Sequence, residues 1–431
     1  MLISLLYELL LFVLALIMLP YLLFQLIVKK KYRGSILQKL GIGFPKVDKK
    51  GGPLLWIHAI SLGETKAIAP LVKMLKSQEN PPTILFSNVT ETGHTEALKI
   101  VQADYHVYLP FDFGWIINRI VKRVSPEMVI LCESDFWYNF LRTSKKLGAS
   151  VVLVNGKISE RSLHRFLKVP TLSRRLFTLI DLLCVQNQLY GDRFQRLGVS
   201  KEKVVVTGNI KFDAVYPKAP ADNLKELRHH FGLAESDPVI VMGSSHSPEE
   251  LIFIQTLEKV WKKYPNVKGI VVPRHPERFN EVAALLEKHN IAFHRFSQKG
   301  TPANQPRVIL VDAMGQLLLC YQIAKIAIVA GSYVERIGGH NILEPVWYGV
   351  PVLFGPHMQN QPDMVDLMRD YDAGIQVSSE ALPGVIEDLL GDEKRCKKLG
   401  INGLRLFSDI HGATAKTFAL LKEKMNEKKH V

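Results

Sequence analysis

Three charged side chains follow apolar runs of the kind that form buried strands. Glu64 comes shortly after LLWIHAI (54–60), Glu133 follows MVILC (128–132), and Lys211 follows VVVTGN (204–209). In parallel α/β sheets, ligands bind outside the carboxyl ends of the strands, so these residues can converge on one crevice. A carboxylate in that position can act as a general base, and a lysine can stabilise negative charge on a leaving phosphate.

Each of these residues also has an ordinary structural interpretation. Glu64 falls in the first turn of an expected helix, where capping is a common role for a carboxylate. The helix dipole lowers its pKa there, which weakens it as a base unless neighbours compensate. Glu133 and the nearby Asp135 fit a solvated turn, and Lys211 fits the surface beside a linker. The residues alone leave both interpretations open.

A second group of candidate residues lies in the C-terminal half. Arg274, flanked by the Pro273 and His275-Pro276 of a turn after GIVV, suits a phosphate clamp. Two glycines at 338–339 precede an expected helix start, where backbone amides can bind phosphate. Glu344, a turn further on, can accept hydrogen bonds from ribose hydroxyls. Together these residues favour a nucleotide-sugar site.

Short apolar runs alternate with amphipathic stretches from residue 52 onward, which is typical of a parallel sheet covered by helices. The runs that we expect to form strands are LLWIHAI, TILFSNV, YHVYLP, MVILCE, VVLVNG, LLCVQN, VVVTGN, VIVMGSS, GIVVPRH, IAFHRF, RVILVD, IAIVAGS and PVLFG. The pattern pauses at residues 212–222, whose prolines and short polar residues indicate a linker. We therefore predict an α/β fold with two Rossmann-like domains and a final helix that packs back across the linker.

The first 28 residues form an almost unbroken apolar stretch. A helix of that length extends roughly 40 Å, which is enough to cross a hydrocarbon core of about 30 Å. The basic cluster Lys29, Lys30, Lys31 and Arg33 follows, and it places the remaining chain on the cytoplasmic side. A cleaved signal peptide would need its positive charge before the apolar run. We predict a single-pass anchor at residues 1–28; the alternative is a monotopic helix in the membrane interface, because Glu8 interrupts its first turns.

The net charge of +14 is unevenly distributed. Residues 1–208 contain 28 Lys and Arg against 15 Asp and Glu, whereas residues 209–431 contain 27 against 26. The N-terminal half should therefore bind an anionic partner, such as a membrane surface or a phosphorylated substrate. Basic residues are not interleaved with aromatic ones on a periodic face, which argues against nucleic acid. The scattered cysteines and dispersed histidines favour a reducing compartment and no metal site.

A series of motifs resembles the family of 3-deoxy-D-manno-octulosonic acid (Kdo) transferases, which are inverting glycosyltransferases of the GT-B fold. In that fold two Rossmann-like domains face a cleft. The motifs are HAISLGE (58–64), TGHTEA (92–97), YLPFD (108–112), ISERS (158–162), VTGNIKFD (206–213), GSSHSPEE (243–250), VPRHPERF (272–279), MGQL (314–317), GGHNILEP (338–345) and GPHMQN (355–360). The resemblance covers nearly the whole chain.

The resemblance implies that Glu64 is the general base for the glucosamine 6-hydroxyl of a lipid A precursor. It implies that Glu133 and Lys211 stabilise the transition state and that no metal or other cofactor is needed. The residues that would hold the donor CMP-Kdo are Pro273, Arg274, Ala313, Met314, Gly315, Asn341, Ile342, Leu343 and Glu344.

The expected domains are an acceptor domain at 29–211, the linker, a CMP-Kdo-binding domain at 223–407 and a C-terminal segment at 408–431. The expected location is the cytoplasmic face of a bacterial inner membrane, where anionic lipid attracts the basic cluster.

The acceptor side is less well defined by the sequence. Lys157, Arg161 and Arg165 are candidates for binding the acceptor's phosphates, and a solvated helix face explains them equally well. Two segments depart from the family pattern. CESDFWYNF (132–140) replaces the usual acid-Thr-Glu-Leu-Trp-Pro-Asn, and Gln316 stands where an acidic residue is common. The alternatives are another GT-B transferase that uses a UDP-sugar on a lipid-linked acceptor, and a non-catalytic membrane adaptor.

Overall fold

The chain divides into two compact units. The computed structural model describes residues 2–30, 32–49, 51–213, 216–298, 300 and 305–427. Unit 1 comprises Met1–Asp213 and His411–Val431, and unit 2 comprises Ala214–Ile410. Unit 2 is therefore inserted between two parts of unit 1. The structure divides the chain after Asp213 and before His411, whereas the sequence led us to place a linker at 212–222 and a final segment from residue 408.

Unit 1 is built on one parallel sheet. Its strands are β1 (Leu54–His58), β2 (Thr83–Asn88), β3 (Tyr105–Tyr108), β4 (Met128–Cys132), β5 (Ser150–Gly156), β6 (Leu182–Val185) and β7 (Val204–Val206). They lie in the order β3-β2-β1-β4-β5-β6-β7, and every neighbouring pair is parallel. Strands β1, β2, β4, β5 and β6 are buried along their whole length. Burial on both faces explains why these strands are continuous apolar runs rather than alternating ones.

Helices cover both faces of this sheet. The helices of unit 1 before Asp213 are α1 (Leu2–Ile27), α2 (Ile36–Lys39), α3 (Leu62–Lys76), α4 (Glu91–Ile100), α5 (Gly114–Val124), α6 (Tyr138–Lys146), α7 (Glu160–Leu167), α8 (Pro170–Phe177) and α9 (Gln188–Arg196), and of these α3 to α9 contribute to the two cores that cover the sheet. Trp56 of β1 belongs to the core formed with α5 to α9, whereas its neighbours Leu55 and Ile57 belong to the core formed with α3 and α4. This alternation follows from the period of two in a strand.

Unit 2 repeats the same architecture. Its strands are β8 (Val239–Ser245), β9 (Lys268–Pro273), β10 (Phe293–Arg295), β11 (Val308–Leu310), β12 (Ile326–Val329), β13 (Val352–Phe354) and β14 (Gly374–Gln376). They form a parallel sheet in the order β10-β11-β9-β8-β12-β13-β14. Its helices are α10 (Ala221–His230), α11 (Glu249–Val260), α12 (Phe279–Lys288), α13 (Leu317–Gln322), α14 (Leu343–Val346), α15 (Pro362–Asp370), α16 (Leu382–Gly391) and α17 (Glu393–Ile410).

The last helix, α18 (Ala413–Glu427), belongs to unit 1. Leu421 and Ala413 are buried in the core that contains α3. The carboxylate of Asp213 accepts the N–H groups of Gly412 at 2.7 Å and of Ala413 at 3.2 Å, and it also accepts that of Thr414. Asp213 thereby satisfies donors that a helix start leaves without partners.

The predicted α/β fold with two Rossmann-like sheets is confirmed. Each apolar run that we expected to form a strand contains one of β1 to β13. Strand β14 was missed because its three residues, Gly374–Gln376, contain only one aliphatic side chain and form the edge of the sheet.

Among the described residues, α1 is the one helix long and apolar enough to cross a membrane, over Ser4–Ile27, and it is a candidate membrane anchor by length and composition.

Candidate functional site

Glu64 lies in the first turn of α3, just beyond the carboxyl end of β1. Ser61 is the N-cap residue, and its hydroxyl oxygen accepts the Glu64 N–H at 3.4 Å. The Glu64 carboxylate accepts the Ile60 N–H at 2.7 Å and the Ser61 hydroxyl at 3.2 Å. This reciprocal bonding is close to a capping box. Capping thus fixes the carboxylate at the edge of the sheet where we expected the site.

The pKa of Glu64 is raised above its ordinary value. Burial is the largest cause, the Ile60 hydrogen bond opposes it, and the charge of Glu133 adds to it. The compensation that a base in this position requires is present, because burial and the second carboxylate outweigh the effect of the helix start. The side chain is still partly exposed. Glu64 is therefore a stronger base than an ordinary glutamate and is accessible to a hydroxyl group.

Glu133 is held between two lysines at the carboxyl end of β4. Its side chain is only 5% exposed, Lys157 Nζ lies 2.5 Å from its Oε2, and Lys211 Nζ pairs with its Oε1. Burial raises the pKa of Glu133, but the ammonium groups of Lys211 and Lys157 outweigh burial and the net pKa is lowered. Glu133 is therefore a carboxylate at neutral pH.

Asn155 in β5 connects the parts of this cluster. Its Nδ2 donates to Glu133 Oε1 at 3.4 Å, and its Oδ1 accepts the Ile210 N–H at 3.1 Å. Ile210 begins the 3-10 turn that carries Lys211. Both Glu133 and Asn155 have positive φ angles, 65° and 54°, a conformation in which asparagine is enriched. Sequence analysis missed Asn155 because VVLVNG marks it only as the end of a strand.

Asp135 is a second buried acid, only 7% exposed. The interpretation as a solvated turn residue, which the sequence left open, therefore does not hold for Asp135. Burial, with the charges of Glu64 and Glu133, raises its pKa to about 8, so the carboxyl is protonated at neutral pH. His58 Nε2 lies 3.8 Å from its Oδ2, and burial lowers the pKa of His58 to about 4. A neutral acid and a neutral imidazole therefore lie beneath the two glutamates.

A cavity of about 550 Å³ opens beside this cluster. Ser134, which follows Glu133, lines it together with Lys157, Arg165, Phe136 and Phe166. Of the three residues predicted to bind the acceptor's phosphates, Lys157 and Arg165 line the cavity, whereas Arg161 is not among the described lining residues. The cavity thus offers two cationic groups and an aromatic surface.

In unit 2 the predicted donor-binding residues lie at the carboxyl edge of the second sheet. Pro273 ends β9, and the next residue, Arg274, donates its N–H to the Ser245 carbonyl at 3.0 Å. Strand β9 lies between β8 and β11, and residues 313–315 occupy the turn after β11. Because these strands are parallel, their turns lie at one edge of the sheet.

Two histidines form a pair at this edge. Nε2 of His246 lies 2.8 Å from Nε2 of His340, so one ring donates a proton and the other accepts it. Burial, together with the charges of His246, Arg274 and His275, lowers the pKa of His340 to about 4. Sequence analysis did not single out this pair, whose members lie in the motifs GSSHSPEE and GGHNILEP. Among the residues that the structure describes, no group of three or more His, Cys, Asp or Glu side chains is placed to hold a metal ion.

The segment Asn341–Glu344 differs from our expectation of a phosphate-binding helix start. Helix α14 has only four residues, and the Leu343 N–H is already bonded to Asn341 Oδ1 at 3.0 Å. A helix this short has little dipole, so its amides are poor anion binders. Asn341 Nδ2 donates to Tyr216 Oη at 2.7 Å. Burial raises the pKa of Glu344 to about 7, and Arg274 opposes that shift.

Comparison with known proteins decides the family. A family model described as "3-Deoxy-D-manno-octulosonic-acid transferase (kdotransferase)" matches residues 35–214. The 3-deoxy-D-manno-octulosonic acid transferase of Chlamydophila psittaci is 35% identical over 373 residues, 85% of this chain and 84% of that protein. The proteins of the same name from Haemophilus influenzae and Chlamydia trachomatis serovar D are 35% and 34% identical, over 85% and 94% of this chain and 86% and 94% of theirs. The chain belongs to the Kdo transferase family.

This Kdo transferase family member is a glycosyltransferase, and its fold is GT-B-like. UDP-GlcNAc 2-epimerase from Neisseria meningitidis bound to UDP-GlcNAc matches with a TM-score of 0.56 and 13% identity over 86% of this chain and all of that chain. A glycosyltransferase from Rickettsia africae matches with a TM-score of 0.53 and 15% identity over 86% of this chain and 98% of that one. At such low identity the likeness shows the fold alone.

The segment that departs from the Kdo transferase pattern has identifiable packing roles. Phe136 packs edge-on against Phe177, with ring centroids 4.9 Å apart, and also lines the cavity beside Glu133. Tyr138 packs in the same manner against Tyr7 of α1 at 5.2 Å. Phe136 therefore shapes the cavity beside Glu133, whereas Tyr138 connects the departing segment to α1.

Proposed function

We propose that this glycosyltransferase transfers Kdo from CMP-Kdo to a lipid A precursor, lipid IVA, in lipopolysaccharide core biosynthesis. The names of its relatives support Kdo transfer. The observation that carries the proposal is the cluster in unit 1, where Glu64 has a raised pKa and a fixed orientation beside a Glu133 held between two lysines.

In the proposed reaction Glu64 is the general base. The carboxylate takes the proton of the glucosamine 6-hydroxyl while the hydroxyl oxygen attacks the anomeric carbon of Kdo. The bond from that carbon to the phosphate oxygen of CMP breaks on the opposite face, so the configuration inverts. The transition state resembles an oxocarbenium ion, as in glycoside hydrolysis. The negative charge leaves with CMP, and the proton on Glu64 is returned to water.

Glu133 and Lys211 act electrostatically in this proposal. The Lys211 side chain is 36% exposed while its Nζ is paired with the buried Glu133. A cation held by a buried partner needs little reorganisation to face the charge that develops as the phosphate leaves. Lys157 holds the other oxygen of Glu133, so Glu133 serves mainly to orient the two ammonium groups.

The donor is proposed to bind unit 2. Arg274 is the phosphate ligand, because a guanidinium matches two phosphate oxygens and its backbone is fixed to β8. The turn 313–315, with the positive φ of 82° at Gly315, lies beyond the neighbouring strand and offers backbone amides. Glu344, in the segment 341–344, accepts hydrogen bonds from the ribose hydroxyls.

The acceptor is proposed to bind unit 1. The cavity beside Glu133 carries Lys157 and Arg165, which suit the phosphates of a lipid A precursor. Arg161, on the same helix, remains a proposed phosphate ligand at the rim. The excess of basic residues in the first 208 residues supports an anionic acceptor at a membrane surface.

The proposed location is the bacterial inner membrane, with both units on the cytoplasmic side. Helix α1 supplies the apolar contact, and the exposed Lys29 and Lys30 with Arg33 supply attraction to anionic lipid. Removing α1 and the basic cluster should release the enzyme from vesicles that contain an anionic phospholipid. Retention of the truncated enzyme on these vesicles would count against this location.

Protection against thermal unfolding tests the donor. A ligand that binds only the folded protein raises its stability by about 2.7 kcal/mol at a hundred times its Kd. We expect CMP to raise the melting temperature and UDP to leave it unchanged. Stabilisation by UDP alone would favour a transferase that uses a UDP-sugar. Mass spectrometry of the product formed from CMP-Kdo and a tetra-acyl lipid A precursor then identifies the transferred sugar and the number of residues added.

A further inference from the structure

The first third of α1 is bonded to the body of unit 1. The Tyr7 hydroxyl donates to Asp112 Oδ2 at 2.8 Å. Glu8 Oε1 accepts the Gly114 N–H at 2.9 Å and the Asn139 Nδ2 at 2.8 Å. Asp112 and Asn139 are both buried. A hydrogen bond contributes about 0.5–1.5 kcal/mol, and more where a charged group takes part, so these three contacts together fix the start of α1.

The C-terminal end of α1 leads back to the same part of unit 1. Arg33 Nε donates to the Leu26 carbonyl at 3.0 Å and caps the last turn. Two residues later Ser35 is fully buried in unit 1. The Lys39 carbonyl then accepts the Phe111 N–H at 2.8 Å. Phe111 directly precedes Asp112, so Tyr7 and Lys39 contact consecutive residues of the loop between β3 and α5.

This arrangement conflicts with a helix that crosses the membrane. From Tyr7 to Ile27 the helix extends about 30 Å, which is the thickness of the hydrocarbon core. In a crossing helix Tyr7 would lie at one surface and Lys39 at the other. Both residues instead contact one loop of one unit, and that loop lies on one side of the membrane.

We propose that α1 lies within one leaflet, parallel to the membrane surface, and returns to unit 1 at both ends. The proposal rests on the proposed membrane association and favours the monotopic alternative over the single-pass course that we predicted from the sequence. Exposed apolar side chains lie on most sides of α1, and those at least 45% exposed include Leu5, Leu9, Phe12, Leu16, Leu19 and Leu23 along one line and Leu6, Leu10, Ile17 and Phe24 beside it. Hydrocarbon therefore covers α1 on every side that does not contact unit 1.

Glu8 has a clear purpose in this arrangement. A carboxylate in an otherwise apolar helix is costly in hydrocarbon, at about 2.5–3.5 kcal/mol in the bilayer centre. Here Glu8 faces unit 1 and accepts two hydrogen bonds, so the polar side of the first turns is covered by protein. The exposed Lys29 and Lys30 at the far end remain available to anionic headgroups.

An in-plane α1 also places an apolar cavity at the level of the lipid. Leu6, Tyr7 and Leu10 line a cavity of about 330 Å³ together with residues 169–172. Val169 lines this cavity and also the larger one beside Glu133. An acyl chain of a lipid acceptor can therefore occupy the apolar cavity while its phosphorylated headgroup occupies the basic one, without leaving the leaflet.

Protease accessibility of the N-terminus tests the course of α1. The full-length enzyme carries a cleavable epitope tag before Met1 and a second tag after Val431, in sealed inside-out inner-membrane vesicles. We expect added protease to remove both tags at the same rate. An N-terminal tag that is protected until detergent is added, while the C-terminal tag is lost at once, would overturn the in-plane course. A resident protein with a known periplasmic N-terminus, tagged in the same way, shows that the vesicles are sealed.

Sedimentation of the same vesicles separates this proposal from the proposed location. Enzyme that sediments through a carbonate wash with both tags accessible supports the in-plane course. Enzyme that sediments with a protected N-terminal tag refutes the in-plane course and leaves the membrane location intact. Enzyme that stays in the supernatant overturns both.

Discussion

Ile60 donates its backbone N–H to Oε2 of Glu64 at 2.7 Å. The carboxylate that we propose as the general base thus also completes the N-terminal cap of α3. The two roles overlap in the structure, but they respond differently to substitution. A glutamine retains an oxygen that can accept the Ile60 N–H, yet it cannot take up a proton as a base.

The substitution Glu64→Gln should abolish most of the transfer while preserving the fold. Loss of a general base reduces the rate by about 10²–10⁴-fold, whereas the cap is retained because glutamine also serves in a capping box. The measurements are kcat with CMP-Kdo and a lipid A precursor, and the melting temperature. Turnover at the wild-type rate would refute the role of Glu64 as a base.

Ser61→Ala is the matched control for capping. It removes the N-cap hydroxyl and should lower the free energy of unfolding by about 0.5–2 kcal/mol. The carboxylate of Glu64 remains, so the rate should fall far less than in Glu64→Gln. If the two variants lost stability and activity in the same proportion, capping alone would explain the effect of Glu64.

The pH dependence of the rate should move in opposite directions in two variants. The charge of Glu133 raises the pKa of Glu64, and the charge of Lys211 lowers it. The rate should fall as pH drops through the raised pKa of Glu64. We expect this acid limb to shift to lower pH in Glu133→Gln and to higher pH in Lys211→Met, whatever the change in maximal rate. Profiles of kcat/KM against pH measure both shifts, and a limb that stays in place in both variants would contradict the assignment to Glu64.

Asp135 should make stability depend on pH. Its folded-state pKa of about 8 lies above the ordinary value of about 3.9, so the folded protein keeps a proton that the unfolded chain releases. The free energy of unfolding should therefore decline as pH rises from about 4 to about 8, and Asp135→Asn should remove this part of the decline. Urea unfolding of both proteins between pH 5 and pH 9 measures it. The stability of the variant relative to wild type should increase with pH up to about 8; a constant difference would show that Asp135 is ionised in the fold.

Two arginines on one helix provide a matched pair for the acceptor. Arg165 lines the cavity beside Glu133, whereas Arg161 is not among its described lining residues. Arg165→Ala should raise the KM for the lipid acceptor by about tenfold, which corresponds to the loss of one charge-assisted hydrogen bond, and should leave the KM for CMP-Kdo unchanged. Arg161→Ala should have a smaller effect on the acceptor. Equal effects of the two variants would place the phosphates outside the cavity.

The strands were predictable, because burial on both faces of a parallel sheet requires unbroken apolar runs. The carboxyl ends of these strands, where ligands bind, were predictable with them. Glu64, Glu133 and Lys211 were found in this way, since each follows such a run. Their partners were not predictable. Asn155 and Asp135 act through neighbours on other strands, and a single sequence does not say that β4 lies between β1 and β5.

At the segment 341–344 the sequence predicted more regular structure than the protein has. Glycines followed by apolar residues predict a helix start, but α14 has only one turn, and Gly349 follows with a positive φ of 72° that ends helices. The direction in which the pKa of Glu64 is shifted could not be predicted from the sequence either. Local position suggested the helix dipole, whereas burial and a carboxylate 69 positions away in the chain decide the outcome.

The bond between Asp213 and the start of α18 has a consequence for gene design. Asp213 Oδ1 lies 2.7 Å from the Gly412 amide, so the chain leaves unit 1 and re-enters it at nearly the same point. Replacing codons 214–410 with those of a short Gly-Ser loop would encode unit 1 as one uninterrupted polypeptide. The excised codons encode unit 2 as a single open reading frame. The two units can thus be encoded by separate genes, provided that the shortened gene for unit 1 keeps the codons of α18.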